Sequence, residues 1–127
     1  MTDRKLIDIA ADAMANSYAP YSRAKVGAAL ECTDGSVFTG CNIENATAGA
    51  TICAEKAAVA SAVSAGQRSF KRMAIVAESS NYRLPCGTCR QLLMEFSPEM
   101  EVLCARVDGR YVSYPLRSLL PMPFTRE

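Results

Sequence analysis

The 127-residue sequence contains no histidine and no tryptophan. Without an imidazole there is no Ser-His-Asp or Cys-His hydrolase and no zinc site of the histidine type. Charge of one sign is also lacking: 14 Lys+Arg face 13 Asp+Glu, a net of +1. That balance gives no electrostatic case for gripping a nucleic-acid backbone, and five tyrosines and four phenylalanines offer no stacking track. No apolar run is long enough for a signal peptide or a membrane span, so a cytoplasmic protein is expected. Linkers, charge runs and internal repeats are missing too, so residues 1–127 are expected to form a single domain. At 50% hydrophobic and 21% charged residues the composition is globular rather than disordered.

The sequence does contain six cysteines: Cys32, Cys41, Cys53, Cys86, Cys89 and Cys104. In a reducing compartment these point to metal binding or catalysis rather than disulfides. Only Cys86 and Cys89 form a C-x-x-C pair. Cys32, Cys41 and Cys104 sit in apolar, strand-like surroundings and are expected to be buried thiols acting as small hydrophobes.

Periodicity places a helix over Asp3 to Asn16, ended by Pro20. Strands are predicted at Lys25–Cys32 and Ser36–Cys41 around a Thr33-Asp34-Gly35 turn, and at Met73–Ala77, Glu101–Arg106 and Arg110–Tyr114. Helices are predicted at Cys53–Ala65, Arg90–Phe96 and Pro115–Leu120, and residues 42–51 read as a long loop. The expected fold class is therefore α/β, a mixed sheet with helices on both faces.

Two segments carry the chemistry: Cys53-Ala54-Glu55 and Pro85-Cys86-Gly87-Thr88-Cys89. Each falls near a predicted helix start, where free N–H groups and the dipole favour thiolates. Three thiolates and one open position is the pattern of a catalytic zinc. Glu55, two residues past Cys53, would stand beside such a metal without ligating it, ready to take a proton from an acidified water. A thioredoxin-type redox pair would leave Cys53 and Glu55 unexplained. A structural four-cysteine site would need Cys32, Cys41 or Cys104 as its fourth ligand and has no use for Glu55.

These residues match the signature of zinc nucleobase deaminases: a ligand, one residue, Glu, then Pro-Cys-x-x-Cys. Over nearly its whole length the chain resembles the small three-cysteine cytidine deaminases. The blocks that carry the resemblance are Tyr18–Ser22, Val26–Leu30, Gly40–Ala46, Thr51–Glu55, Pro85–Gln91 and Leu119–Pro121. The resemblance implies a three-layer α/β/α fold with a five-stranded mixed sheet. It implies hydrolytic deamination of cytidine or deoxycytidine to the uracil nucleoside and ammonia, a step of pyrimidine salvage. Cys53, Cys86 and Cys89 would bind one zinc ion per subunit, and Glu55 would shuttle protons to N3 and to the departing amine. Asn42 and Glu44 would hold a sugar hydroxyl, and Ala54 would contact substrate. A homotetramer is implied, in which Phe124 resembles the C-terminal aromatic that reaches a neighbouring pocket.

The chain departs from the family pattern at Ala24, Ala48 and Ala50, where larger Phe, Tyr and Leu are usual, and at Lys56, where Arg is usual. The alanines predict a widened pocket admitting bulkier or N4-substituted cytosine nucleosides. They also resemble the blasticidin S deaminases, although Asn42-Ile43-Glu44-Asn45 favours an ordinary ribose. Lys56 keeps the charge of Arg but not its planar fork of donors, which predicts an altered acidity of the metal's water.

Overall fold

The computed structural model describes residues 1–126. Five strands form one mixed sheet: β1 (Val26–Cys32), β2 (Val37–Cys41), β3 (Phe70–Ala77), β4 (Glu101–Arg106) and β5 (Tyr111–Pro115), in the order β2-β1-β3-β4-β5. Only β3 and β4 run parallel. The helices are α1 (Asp3–Met14), α2 (Ala54–Ser64), α3 (Gly87–Phe96) and the single-turn α4 (Leu116–Leu119). The five-stranded α/β/α arrangement expected from the sequence is present.

Strand alternation divides the core in two. Leu30, Met73, Ile75, Val102 and Cys104 face α2, α3 and α4. Ala29, Ala74, Val76, Leu103 and Ala105 face Leu6, Ile7 and Ala10 of α1. Strands buried on both faces read as continuous apolar runs, which is why β1, β3 and β4 were visible in the sequence.

Two glycines set how closely the helices approach. At Gly27 a Cβ would overlap the Ala10 carbonyl oxygen and lie 2.6 Å from the Met14 nitrogen of α1. At Gly40 it would overlap the Ala54 carbonyl oxygen and lie 2.5 Å from the Ala58 nitrogen. Gly40 thus lets the first turn of α2 rest directly on β2.

The register gathers several chain ends at one edge of the sheet. Val26 pairs with Ala77, and Gly27 pairs with Cys41. The start of β1 and the ends of β2 and β3 therefore lie side by side, and the loops leaving them surround the first turns of α2 and α3.

Some boundaries differ from the sequence reading. β3 begins three residues earlier, at Phe70, because Arg72 is held in the sheet by Glu31 at 2.7 Å and Asp3 at 2.5 Å. α3 begins at Gly87 rather than Arg90, which brings Cys89 into its first turn. Pro115 ends β5 instead of opening α4. Residues 42–51 are more ordered than a plain loop: Ile43 bridges both Tyr18 and Ile52, and Ala48–Ala50 form a 3-10 turn. Cys32 and Cys104 are buried in strands as expected, but Cys41 is only half-buried, because β2 is an edge strand.

Candidate active site

Cys53 caps the N-terminus of α2, and Cys86 caps that of α3. The Cys53 side chain makes no capping bond to its helix, while Cys86 meets the Thr88 hydroxyl and Cys89 Sγ in the first turn of α3, and both cysteines border the same cavity. Cys89 joins them from the first turn of α3. The three Sγ atoms all lie within 4.8 Å of one another, and Cys86 and Cys89 are 3.5 Å apart. Tetrahedral zinc thiolates at about 2.3 Å per bond require sulfurs roughly 3.8 Å apart, so the cluster fits zinc.

The three thiols differ in acidity. Burial works to raise the pKa of Cys86, but the Thr88 hydroxyl, 3.3 Å away, and the Cys89 backbone N–H outweigh it and lower it to about 7. Cys53 is pushed up by burial. Cys89, fully buried, is pushed further up by burial and by the charge of Glu55. A metal must displace these protons to bind, so its affinity rises with pH.

Glu55 is 6% exposed, in the first turn of α2. Burial lifts its carboxyl above the ordinary carboxylate range, opposed by its own backbone N–H and then by the charge of Arg83. A buried carboxyl poised above its usual range, next to a metal cluster, suits proton transfer near neutral pH.

One cavity of about 420 Å³ joins these groups, a size usual for small-molecule sites. Glu55, Cys53, Cys86 and Ala54 form one wall; Asn42, Glu44, Ala24 and Ser22 form the other. Asn42 accepts the Val26 N–H at 2.9 Å and donates to the Ala24 carbonyl at 2.7 Å. Glu44 accepts the Tyr21 and Ser22 N–H groups at 3.0 and 3.1 Å and the Ser22 hydroxyl. That hydroxyl, followed by the Ser22 N–H, holds the Glu44 carboxyl below its ordinary range. The loop they fix contains Arg23, at φ 61, the one non-glycine described in the left-handed region. Such backbone strain persists where surrounding bonds over-determine it, and it collects at functional sites.

Other residues singled out from the sequence lie outside this cavity. Lys56 lines a groove on the outer side between α2 and α3. Ala48 and Ala50 are both exposed on the 3-10 turn. Phe124 is 74% exposed, its backbone held by Gln91 through bonds of 2.8 and 3.1 Å. Sequence reasoning missed Arg83, Leu84, Thr51 and Ile52 as wall residues and Thr88 as a partner of Cys86. The placement of Thr88 inside the C-x-x-C pair was the available signal for the last.

Comparison with known proteins agrees with this geometry. The family "Cytidine and deoxycytidylate deaminase zinc-binding region" matches residues 1–105. A cytidine deaminase of Sporosarcina psychrophila is 42% identical over all of this chain and 94% of that protein. The crystal structure of cytidine deaminase from Burkholderia pseudomallei superposes with a TM-score of 0.94 at 44% identity, covering 98% of this chain and all of that one. A blasticidin-S deaminase of Bacillus cereus is more distant, 30% identical over 98% of this chain and 93% of its own. The fold and the three-sulfur site are those of a zinc-binding α/β enzyme. The chain belongs to the cytidine deaminases of the cytidine/deoxycytidylate deaminase superfamily.

Proposed function

We propose that this chain is a cytidine deaminase. It hydrolyses cytidine and deoxycytidine to the uracil nucleoside and ammonia, serving pyrimidine salvage in the cytoplasm. The observation that carries the reading is buried Glu55 facing the same cavity as Cys53 and Cys86, whose sulfurs cluster with that of Cys89. These three cysteines would hold one zinc ion per chain, which would supply the Lewis acidity that makes a water nucleophilic near neutral pH. Glu55 takes a proton from that water, delivers one to N3 of the ring, and passes a second to the leaving amine. A structural zinc or redox module would give a buried carboxylate in this position no task.

Asn42 and Glu44 hold a sugar hydroxyl while fixing the loop behind them. Asn42 keeps a second amide hydrogen free, and an ionised Glu44 with about four lone-pair sites has room beyond its three donors. Ala54 offers its backbone at the cavity wall. The exposed apolar side chains near the cavity mouth, Tyr18, Tyr21, Ile43 and Ile52, support assembly into a homotetramer that covers them. The apolar groove lined by Val59, Val63, Leu92 and Phe96 supports the same assembly. Phe124, whose backbone is anchored by Gln91 and whose side chain is exposed, supports a contact with a neighbouring copy.

A wider substrate range is a second reading, favoured by Ala24 in the cavity wall. A substrate panel tests both: cytidine, deoxycytidine and N4-methylcytidine, followed by loss of the cytosine absorbance band on protein of measured zinc content. Turnover of the first two is expected. Ala24→Phe should reduce turnover of N4-methylcytidine more than that of cytidine; an equal effect on both would remove the wider range.

A further inference from the structure

Residues 78–86 join β3 to α3 with no helix or strand of their own, and they end on Cys86. Cys86 is exposed, so the packing of its own side chain does little to fix it. Its neighbours must. Among the described residues, the segment 80–85 makes one hydrogen bond outside this loop: Arg90 Nε donates to the Pro85 carbonyl at 2.7 Å. The Pro85 ring is fully buried. The peptide plane between Pro85 and Cys86 is rigid, so a bond to that carbonyl fixes the plane from which Cys86 departs.

The same guanidinium donates from Nη1 to the Leu119 carbonyl at 2.8 Å. Leu119 is the last residue of α4, where helix carbonyls have no partner within the helix. One half-buried side chain therefore ties the approach to Cys86 to the end of α4. Arg90 follows Cys89 directly on α3, so the turn that supplies one sulfur also holds the backbone leading to another. The planar fork of arginine suits two acceptors at once; a lysine ammonium offers its charge without that geometry.

Resting on the zinc reading above, we propose that Arg90 is a positioning residue of the metal site: by holding the Pro85 carbonyl against the end of α4, it keeps Cys86 within reach of Cys53 and Cys89. The described bonds of its side chain all go to backbone carbonyls, and it does not line the cavity. Its effect on metal binding passes through the backbone and not through contact with the sulfurs or the substrate.

The test measures the zinc dissociation constant by competition with a chromogenic chelator, beside urea unfolding of the zinc-free protein. It compares wild type, Arg90→Met, Arg90→Lys and Arg117→Met. Arg117 also belongs to α4 but pairs with Glu99 at the surface, so it serves as the control. Arg90→Met should weaken zinc binding about tenfold or more. Arg90→Lys should lie between it and wild type, and Arg117→Met should match wild type. A fall in zinc-free stability with zinc affinity unchanged in Arg90→Met would mark a merely structural role and overturn the proposal. So would a loss of affinity no larger than that of Arg117→Met. Wild-type affinity in Arg90→Lys would also overturn it, since charge alone would then suffice; this milder variant decides the matter if Arg90→Met does not fold. Absence of zinc binding by the wild type would overturn the zinc reading and this proposal with it, whereas the other contrary results leave that reading standing.

Discussion

The two walls of the cavity are built in opposite ways. One comes from the first turns of two helices, with Glu55 6% exposed and Cys89 the fully buried member of the sulfur cluster. The other comes from loops, with Ser22 and Glu44 at the surface and alanine at residue 24. Helix starts locked on a sheet fix a few atoms tightly, as proton transfer and metal binding require. Loops tolerate change, which is where substrate choice is set. On the proposed function, the helical wall decides the reaction and the loop wall its substrate.

Variants in each wall test that division. The largest effect is expected from Cys53→Ser in the helical wall. Zinc content and ammonia release should fall together, as read by metal analysis and absorbance on one sample, while the circular dichroism of the sheet stays. Gly40→Val comes next. Its side chain would collide with Ala54 and Ala58 and displace the start of α2 without touching the loop wall. A loss of about 1–3 kcal/mol in a urea titration is expected from overpacking, with kcat falling more than KM rises. The smallest effect is expected from Glu44→Gln in the loop wall: a several-fold rise in KM for cytidine at unchanged zinc content.

Glu44 also gives the loop wall a pH dependence. Its folded carboxyl lies below the ordinary range, chiefly through the Ser22 hydroxyl. Its support is therefore present above the ordinary carboxylate pKa, about 4.3, and is lost as pH falls through the lowered folded value. KM should rise in that acid range before the helical core unfolds.

Much of the helical wall was legible in the sequence, because Cys53, Glu55, Cys86 and Cys89 occupy fixed spacings whose chemistry has few other uses. The sheet was legible because β1, β3 and β4 are buried on both faces. The first residues of β3 were not. Lys71 and Arg72 read as loop, and the partners that hold Arg72 in a strand are distant in sequence: Glu31 and Glu101 in the sheet and Asp3 of α1. The loop wall was the least legible. Asn42 and Glu44 were marked as substrate groups by resemblance, but their bonds to the Tyr21–Val26 segment depend on tertiary placement. Arg83 was missed although it shortly precedes Cys86, which lines the same cavity. Lys56 sits one residue from Glu55, yet the turn of α2 sends it into the outer groove, where spacing alone did not place it.

The most direct test of the central claim is zinc content and ammonia release measured together on Glu55→Ala. If the buried helical wall divides its labour between cysteines that hold metal and a glutamate that moves protons, the variant keeps its zinc and loses at least about a hundredfold in kcat on cytidine. Retained turnover, or loss of zinc in step with activity, would contradict it.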